Sequence, residues 1–277
     1  MRHFRESSKE TYCAMFATWA GFLFDKRMTV LEATSTEASE FFGDKALVPV
    51  SRRRYLQLLD KVYQHLISVG WALEHPLQGL LRLERELAIA LPVGLDTDQL
   101  GKLEQVLAVM KGTKAPRDRS LAALMVGGGL RSNEVIRLRC TELQPNFGIE
   151  VKSHTVHPEH STLVLPDGPW RMWLEQWLQE RRARNVPGEL LCPAAANGKA
   201  FTTSGLYRRI DHWFSLAGIE PAQGGANVLR NTFARLALES NRYTVVQVQG
   251  FMGHAEIRTT ERHLAQAPAA VGEDVAY

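Results

Sequence analysis

Amphipathic helical periodicity recurs along almost the whole sequence, and this limits the chain to a mainly α fold. The segment KETYCAMFATWAGFLFDKR (9–27) shows the pattern well, because large apolar residues such as Trp19 and Leu23 fall on one face. Two segments have strand character, GIEV (148–151) and STLVLP (161–166), and we expect them to pair as a small β-hairpin. The sequence therefore predicts a mostly helical protein with one small sheet.

The helical segments divide into two groups. The first group is expected to form a bundle over residues 1–88, and SRRRYLQLLDKVYQHLISVG (51–70) is a long helix within it. The side chains of this helix that are expected to face inward are Tyr55, Leu58, Leu59, Val62, Leu66 and Ile67. Proline and glycine in LAIALPVGLDTDQ mark a connection near residues 86–96. A second, mostly helical domain is expected over 96–277, in which 265–277 form a short tail.

A tryptophan-rich helix is expected to start at Pro169 in the second domain. Trp170, Trp173 and Trp177 recur there at helical spacing and share one face. Such a stripe is far more typical of a packed core than of a ligand platform. We therefore expect these rings to lie in the core of the second domain.

Composition excludes several classes of protein. The 277 residues include 45% hydrophobic and 23% charged residues, as in a soluble globular protein. No run approaches the ~18 apolar residues of a membrane span. Cys13, Cys140 and Cys192 are widely spaced and odd in number, which favours a reducing cytosol in which each thiol is a small buried apolar group. The net charge of +3 permits nucleic-acid binding without requiring it.

An arginine follows the glycines of the motif GGGLRSNEVIRL (127–138). The glycines allow a tight turn, and Glu134 follows Arg131 by three residues where a helix resumes. The carboxylate can hold the guanidinium by a charge-assisted hydrogen bond, and a guanidinium held in this way can bind a phosphate with two donors. By itself, the pair also fits a purely structural ion pair at a helix start.

Two later segments carry further polar side chains. In ANVLRNTFARLALES, Asn227 and Arg230 are three residues apart on one helical face, so both can reach one phosphate. In GFMGHAEIRTTERHL, His254 follows a glycine, and a short helix starting at the Thr259–Thr260 pair carries His263. Each histidine alone would fit a capping or core role.

Taken in order, the motifs G-L-R-x-x-E, L-R, G-H and T-T resemble those of the tyrosine recombinases, or phage-type integrases. The front bundle resembles the core-binding domain of the same family. The resemblance implies a catalytic-type second domain whose fold is shared with type IB topoisomerases. It also implies double-stranded DNA as the partner, a dimer or tetramer formed with itself or with a related active recombinase, and no cofactor.

The resemblance assigns roles to single residues. Arg131 and Arg230 match the two arginines that clamp the scissile phosphate and stabilise the charge of the transition state, with Glu134 in support. His254 matches a histidine that hydrogen-bonds the same phosphate. Lys152 is the nearby candidate for the lysine that protonates the leaving 5′ oxygen.

Two positions depart from the family pattern. Asn227 stands where a histidine or lysine is expected, and asparagine cannot exchange a proton near neutral pH. His263 stands where the nucleophilic tyrosine is expected. Four explanations stay open: a lost nucleophile, an imidazole that forms a phosphoramidate, a displaced phenol such as Tyr277, or an introduced substitution. Tyr243 is expected to pack against a helix.

Other arginines are candidates for contacts to the DNA backbone. Arg52, Arg53 and Arg54 start the long front helix, where a cluster of like charge opposes the helix dipole and attracts anions. Arg208 and Arg209 form a second such pair. A solvated helix face is the alternative in both places.

The loop SHTVHPEH has a superficial likeness to a metal site. His154, His157 and His160 recur in it at three-residue spacing. Loop histidines without cysteine or carboxylate partners at zinc-like spacing are usually solvated. We therefore expect no metal.

Three functional hypotheses follow. The first is a DNA-binding protein of the recombinase family that binds a specific duplex site without cutting it, as an accessory factor or regulator of mobile-element recombination. The second is an active site-specific recombinase, working through a covalent 3′-phospho intermediate, with an unusual or displaced nucleophile. The third is an unrelated helical scaffold that binds proteins. Because Asn227 and His263 both depart from the pattern, we favour the first, in the bacterial cytoplasm at the nucleoid.

Overall fold

The structure of the protein, a computed structural model, describes residues 6–44, 47, 49–86, 91–151, 163–221 and 225–264. The chain forms two compact units, residues 1–90 and 91–277. Helices dominate both units, and the described strands form a two-stranded sheet, so the predicted mainly α fold is confirmed. Within the described ranges, no helix combines the length and the apolar character needed to cross a lipid bilayer.

The first unit contains α1 (Glu6–Asp25), α2 (Ser35–Asp44), α3 (Pro49–Ser68) and α4 (Gln78–Glu86). Aromatic rings fill its centre, where Trp19 and Phe41 meet edge to face with ring centroids 4.9 Å apart. The Trp19 indole N–H donates to the hydroxyl oxygen of Tyr63 at 3.1 Å, and that hydroxyl donates to the Val30 carbonyl at 2.9 Å. The polar atoms of these large side chains therefore have partners inside the core.

The buried face of α3 differs in part from the predicted one. Leu59 is buried as expected, but the residues buried with it are Leu56 and Tyr63. The predicted inward position of Ile67 is wrong, because this residue lies in the last turn of the helix and is 37% exposed. The face is rotated toward Tyr63, since the hydrogen bond with Trp19 draws that phenol into the core.

The second unit contains α5 (Thr97–Val109), α6 (Ala115–Ala122), α7 (Ser132–Val135), β1 (Gly148–Ile149), β2 (Leu163–Val164), α8 (Pro169–Ala183), α9 (Thr203–Ala217), α10 (Gly225–Glu239), α11 (Val245–Met252) and α12 (Ile257–Leu264). α6 continues into a π-helical turn, Ala123–Gly127. Asp96 caps α5, because its side chain accepts from the Gln99 N–H at 2.8 Å and its own N–H donates to the Gln99 side chain at 3.1 Å.

The tryptophan stripe of α8 packs in the core of the second unit. The helix begins at Pro169, as predicted, and Trp177 is buried. Trp170 and Trp173 pack against the same core. The Trp177 indole N–H donates to the Leu191 carbonyl at 2.8 Å. The prediction that these rings are core residues is confirmed.

The predicted β-hairpin pairing is confirmed. β1 and β2 are antiparallel, with Gly148 opposite Val164 and Ile149 opposite Leu163. Both strands are shorter than the segments predicted for them, with two residues each. Residues 152–162, which include the start of the second predicted segment, lie outside the described residues.

The three cysteines are free thiols, but the expectation that each is buried is wrong for Cys13, which lies on the exposed side of α1. Cys13 is exposed and Cys192 is buried. Burial raises the pKa of Cys192 to about 12. Because the thiolate is the reactive form of cysteine, Cys192 is unreactive at neutral pH.

Candidate active site

Arg131 and Glu134 form a pair at the start of α7. The backbone N–H of Arg131 donates to Glu134 Oε2 at 2.7 Å, and its Nη1 donates to Glu134 Oε1 at 2.8 Å. One carboxylate thus satisfies a backbone donor at the helix start and orients the guanidinium. The predicted pairing is confirmed, and the Arg131 side chain remains 35% exposed.

Glycines before Arg131 bring this turn against α10. Gly129 has a φ of 65°, and a Cβ atom built on it would lie 2.7 Å from Cε1 of Phe233. A Cβ on Gly128 would lie 2.7 Å from the carbonyl oxygen of Leu124. Position 129 therefore needs glycine for its backbone conformation and for space, and the close approach places Arg131 beside α10.

Arg230 joins three segments of the site. It lies on α10 and is 6% exposed. Its Nη1 donates to the Gly129 carbonyl at 2.5 Å, and its Nη2 donates to the Met252 carbonyl. Nη1 also lies 3.8 Å from Glu134 Oε2. The guanidinium is therefore fixed between the glycine turn, the start of α7 and the end of α11.

The turn after α11 brings His254 to the two arginines. α11 ends at Gly253 in the left-handed conformation, and the Gly253 carbonyl accepts from Arg131 Nη2 at 2.9 Å. His254 follows, and its carbonyl accepts from Gln249 Nε2 at 3.0 Å. The ring Nδ1 of His254 lies 2.9 Å from Thr260 Oγ1 in α12.

His263 lies on α12 with its ring parallel to that of His254. The ring centroids are 6.2 Å apart and the planes differ by 3°. His263 is 3% exposed, and its Nδ1 is buried with no hydrogen-bond partner in the part of the chain that the structure describes. Burial lowers the pKa of His263 to about 4, and the charge of Arg230 acts in the same direction. The imidazole is therefore neutral at neutral pH.

The charge balance of the site favours an anion. Burial lowers the pKa of Arg230 to about 9, the charge of Arg131 acts in the same direction, and Glu134 opposes both. Arg230 still stays protonated at neutral pH. Two guanidinium charges against one carboxylate leave a net positive charge, which suits one phosphodiester.

The region that contains these residues has known relatives. Residues 95–269, more than half of the chain, match the phage integrase family. The chain belongs to the phage integrase family. The expected tyrosine recombinase membership is thereby confirmed.

Two curated integrase-family relatives illustrate the extent of the likeness. Tyrosine recombinase XerH of Helicobacter pylori is 27% identical over 209 residues, which are 73% of this chain and 56% of that protein. Tyrosine recombinase XerD of Lacticaseibacillus casei is 25% identical over 267 residues, which are 94% of this chain and 88% of that protein. The chain thus spans a little over half of the first relative and most of the second.

Solved structures share the fold. XerH bound to its difH substrate in a pre-cleavage complex has a TM-score of 0.68 at 21% identity, over 92% of this chain and 74% of that chain. The Tn1549 transposon integrase in complex with circular intermediate DNA has a TM-score of 0.76 at 16% identity, over 97% and 92%. A lambda integrase dimer bound to a COC′ core site has a TM-score of 0.68 at 14% identity, over 95% and 72%.

Of the other two residues predicted for the integrase site, the structure describes Asn227 and not Lys152. Asn227 is exposed on α10, one turn before Arg230. Lys152 lies outside the described residues, as do the three loop histidines and Tyr277. Among the residues that the structure does describe, no three histidine, cysteine or acidic side chains form a group that could hold a metal ion.

Two of the front arginines have a partner within the first unit. Arg52 Nε lies 3.7 Å from Glu84 Oε2, and Arg53 Nε lies 3.4 Å from Glu84 Oε1. Arg52 also donates to the Phe42 carbonyl at 2.9 Å. Arg54 is exposed. DNA contact by the three arginines stays a prediction, and Arg54 is the best placed for it.

Arg209 binds a buried carboxylate. Its Nε donates to Asp118 Oδ2 at 2.6 Å, and Asp118 is fully buried. Arg117 donates its Nη2 to the other oxygen of the same carboxylate at 2.7 Å. Arg209 thus has a structural partner that the sequence pattern did not indicate, while Arg208 is exposed on α9. Phosphate contact by either stays a prediction.

Tyr243 packs against α11, as predicted. Its ring meets the ring of Phe251 edge to face, with centroids 5.3 Å apart. An aromatic contact of this kind accounts for the residue through packing. The phenol therefore needs no role in the integrase site.

Thr260 is a member of the cluster to which sequence reasoning gave no role. It is fully buried on α12, and its hydroxyl contacts the His254 ring. A buried hydroxyl in a short helix of mostly polar residues is a weak signal in the sequence. The contact ties the turn that carries His254 to the helix that carries His263.

Proposed function

We propose that this protein binds duplex DNA, holding one phosphodiester between Arg131 and Arg230, and does not cut it. The observation that carries the proposal is His263. Its imidazole is buried and neutral, and it lies at the position where the family resemblance predicts the phenol of the nucleophilic tyrosine. The arginines for phosphate binding remain, while the group for covalent attack is replaced.

The binding half of the proposal is supported by the fixed guanidiniums. Arg131 and Arg230 are oriented by Glu134 and by backbone carbonyls, so little side-chain entropy is lost when an anion binds. His254 lies in the same cluster and can add a donor. The XerH, Tn1549 and lambda integrase structures are DNA complexes, which supports DNA as the source of the phosphate.

The non-cutting half is supported by two side chains. Asn227 can donate a hydrogen bond but cannot exchange a proton near neutral pH. An imidazole nitrogen at position 263 reaches about 2 Å less far than a tyrosine oxygen, and an error of roughly 1 Å in position can cost ~10²-fold in rate. Both changes act against strand cleavage.

We infer an accessory or regulatory role in the recombination of mobile-element DNA. A protein that occupies a duplex site without cutting it can block, mark or organise that site. The partner is a second copy of this chain or a related active recombinase, in a dimer or tetramer on DNA. The lambda integrase dimer on its core site supports such an assembly by analogy.

The test begins with selection of duplexes that the wild-type protein retains from a random library. A selected duplex carrying a nick, which traps covalent intermediates, is then incubated with the protein. We expect a retarded band on a native gel and no protein–DNA adduct on a denaturing gel. An adduct would contradict the proposal, and its acid lability would separate phosphohistidine from phosphotyrosine.

A recombinase with an unusual nucleophile is the second candidate. It is favoured by the contacts among Arg131, Glu134, Arg230 and the Gly253–His254 turn, which suit a transition state as well as a ground state. His263→Tyr is the variant that separates the two. If this variant forms an adduct and the wild type does not, the wild-type site lacks only its nucleophile, which supports the non-cutting function over the second candidate.

A further inference from the structure

One buried nitrogen of the site has no hydrogen-bond partner among the described residues. Nδ1 of His263 is buried and makes no hydrogen bond within the described residues, although the residue is 3% exposed. A buried polar atom without a partner destabilises the folded protein, so an atom of this kind calls for an explanation. One explanation is a ligand that forms the missing hydrogen bond with this nitrogen.

The surroundings of His263 point to the chemistry of that ligand. Its ring lies parallel to the His254 ring at 6.2 Å, and α12 packs against α10, which carries Arg230. The charge of Arg230 is close enough to lower the pKa of His263. His263 therefore lies on a helix that packs against α10, where the positive charge of Arg230 acts on it.

A neutral imidazole can bind an anion through its N–H group. It carries one N–H donor and one acceptor, and adjacent guanidinium groups favour the donor facing a bound oxygen anion. A protonated imidazole would add a third positive charge beside Arg230 and Arg131. The low pKa of His263 keeps the donor without that repulsion.

We propose that His263 is a phosphate-binding residue, whose imidazole N–H donates to an oxygen of the DNA phosphodiester held by Arg131 and Arg230. This inference rests on the proposed function, since it needs a DNA phosphate in the site. His263, at the position where the nucleophile is expected, then strengthens DNA binding through this hydrogen bond.

The shorter reach of imidazole favours donation over attack. A nucleophile must approach phosphorus within roughly 3–3.5 Å and in line with the leaving oxygen. An N–H group needs only a phosphate oxygen at about 2.7–2.9 Å, and the non-bridging oxygens project from phosphorus toward their donors. A ring set back from the phosphorus can therefore donate where it cannot attack.

The test uses the matched variants His263→Asn and His263→Leu. The two new side chains have the same branched shape, but asparagine keeps a polar group near the position of Nδ1. Binding of a duplex selected by the wild type is measured by fluorescence anisotropy. We expect the leucine variant to bind about 10-fold more weakly and the asparagine variant to stay within about threefold of wild type.

Thermal unfolding separates a binding role from a structural one. Leucine removes the buried nitrogen, so the free leucine variant is expected to have a Tm equal to or above that of the wild type while its DNA affinity falls. Equal DNA affinities of the asparagine and leucine variants overturn the inference. A fall of Tm in parallel with affinity in the leucine variant also overturns it.

A wild-type measurement avoids dependence on folded variants. Dimethyl phosphate, a small phosphodiester, is titrated while imidazole ¹⁵N signals are followed by NMR. The His263 signals are expected to shift, and those of His212, exposed on α9, are not. Unchanged His263 signals at saturation overturn the inference. If the wild type selects no duplex at all, the proposed function itself fails; if it does and the matched variants agree, this inference alone fails.

Discussion

Two clusters in the chain set two arginines around one glutamate. They are the front cluster of Arg52, Arg53 and Glu84 and the site cluster of Arg131, Arg230 and Glu134. In the front cluster the ion-pair distances are 3.7 and 3.4 Å, and both arginine side chains are about a third exposed. In the site cluster the distances are 2.8 Å for Arg131 and 3.8 Å for Arg230, and the two arginine side chains are 35% and 8% exposed.

The clusters differ in the burial of Arg230 and in the number of backbone contacts that the arginines make. The guanidiniums of the site cluster donate to three backbone carbonyls, those of Gly129, Met252 and Gly253, whereas in the front cluster Arg52 donates to that of Phe42. Exposed pairs contribute about 0–1 kcal/mol and move freely, whereas a buried hydrogen-bonded charge keeps one orientation. The same residue types therefore form a partly exposed ion-pair cluster in one unit and a preorganised anion site in the other.

The largest expected effect is that of Arg230→Met. The change leaves the carbonyls of Gly129 and Met252 without their buried donor and removes the positive charge 3.8 Å from Glu134, so we expect a loss of about 3–5 kcal/mol in the free energy of unfolding by urea. Arg53→Met is the matched control in the front cluster, with an expected change below about 1 kcal/mol. Similar losses in the two variants would remove the distinction between the clusters.

Gly129→Ala is expected to cost about 3 kcal/mol, because the new methyl group meets Phe233 and the backbone has a φ of 65°. Gly70→Ala serves as the control. Its φ is 75°, but no atom lies within 4 Å of the added Cβ, so a cost of about 1–2 kcal/mol is expected. Urea denaturation of both variants isolates the Phe233 contact, and equal costs would mean that α10 does not press on the glycine turn.

Stability is expected to fall as the pH drops from 6.5 toward 4. The folded pKa of His263 is about 4, below the ordinary value of 6.5, so the unfolded chain binds the proton first in this window. The contribution is fully present above pH 6.5 and is lost through pH 4, with a size of roughly 2–3 kcal/mol. The difference in unfolding free energy between wild type and His263→Leu is measured at pH 7 and pH 4.5, and a difference independent of pH would contradict the burial of a neutral imidazole.

The smallest expected effect is that of Glu84→Gln. Glu84 is 11% exposed, but its partners Arg52 and Arg53 are about a third exposed and lie 3.7 and 3.4 Å away, so the free energy of unfolding should change by only about 1 kcal/mol, and the change should shrink further at high salt. Glu134→Gln is the comparison in the site cluster. It weakens a carboxylate that accepts from Arg131 twice, so a loss of about 2 kcal/mol is expected. Equal losses would contradict the contrast between the two clusters.

Contacts between near neighbours in the sequence could be predicted. The pair of Arg131 and Glu134 spans three residues of one helix start, and its geometry follows from local backbone structure. The core position of Trp177 follows from helical spacing in the same way. The lengths of the strands could not be predicted, because a strand of two residues shows little alternation of apolar and polar side chains.

Contacts between distant residues could not be predicted from pattern. Arg209 lies 91 residues from Asp118 in the sequence. The local sequence LYRRIDHWF does not indicate that Arg209 pairs with a buried carboxylate. Arg53 and Glu84 lie on different helices of the first unit. Partner choice over such separations depends on how the helices pack, which a single sequence does not state.

The residues of the site could be predicted from the sequence, but their contacts could not. The resemblance to tyrosine recombinases brought Arg131, Arg230 and His254 into one cluster without stating their partners. The backbone carbonyls that fix the guanidiniums have no sequence motif, and the T-T motif did not indicate that the Thr260 hydroxyl contacts the His254 ring. The burial of His263 is likewise a property of the packed helix.

The central claim is that the site holds a DNA phosphodiester and does not break it. The most direct measurement is denaturing electrophoresis of the wild-type protein after incubation with a nicked duplex that it binds on a native gel. Complete release of free protein and intact strands is the predicted result. A band in which protein and DNA stay joined after denaturation would contradict the claim and place the chain among the active recombinases.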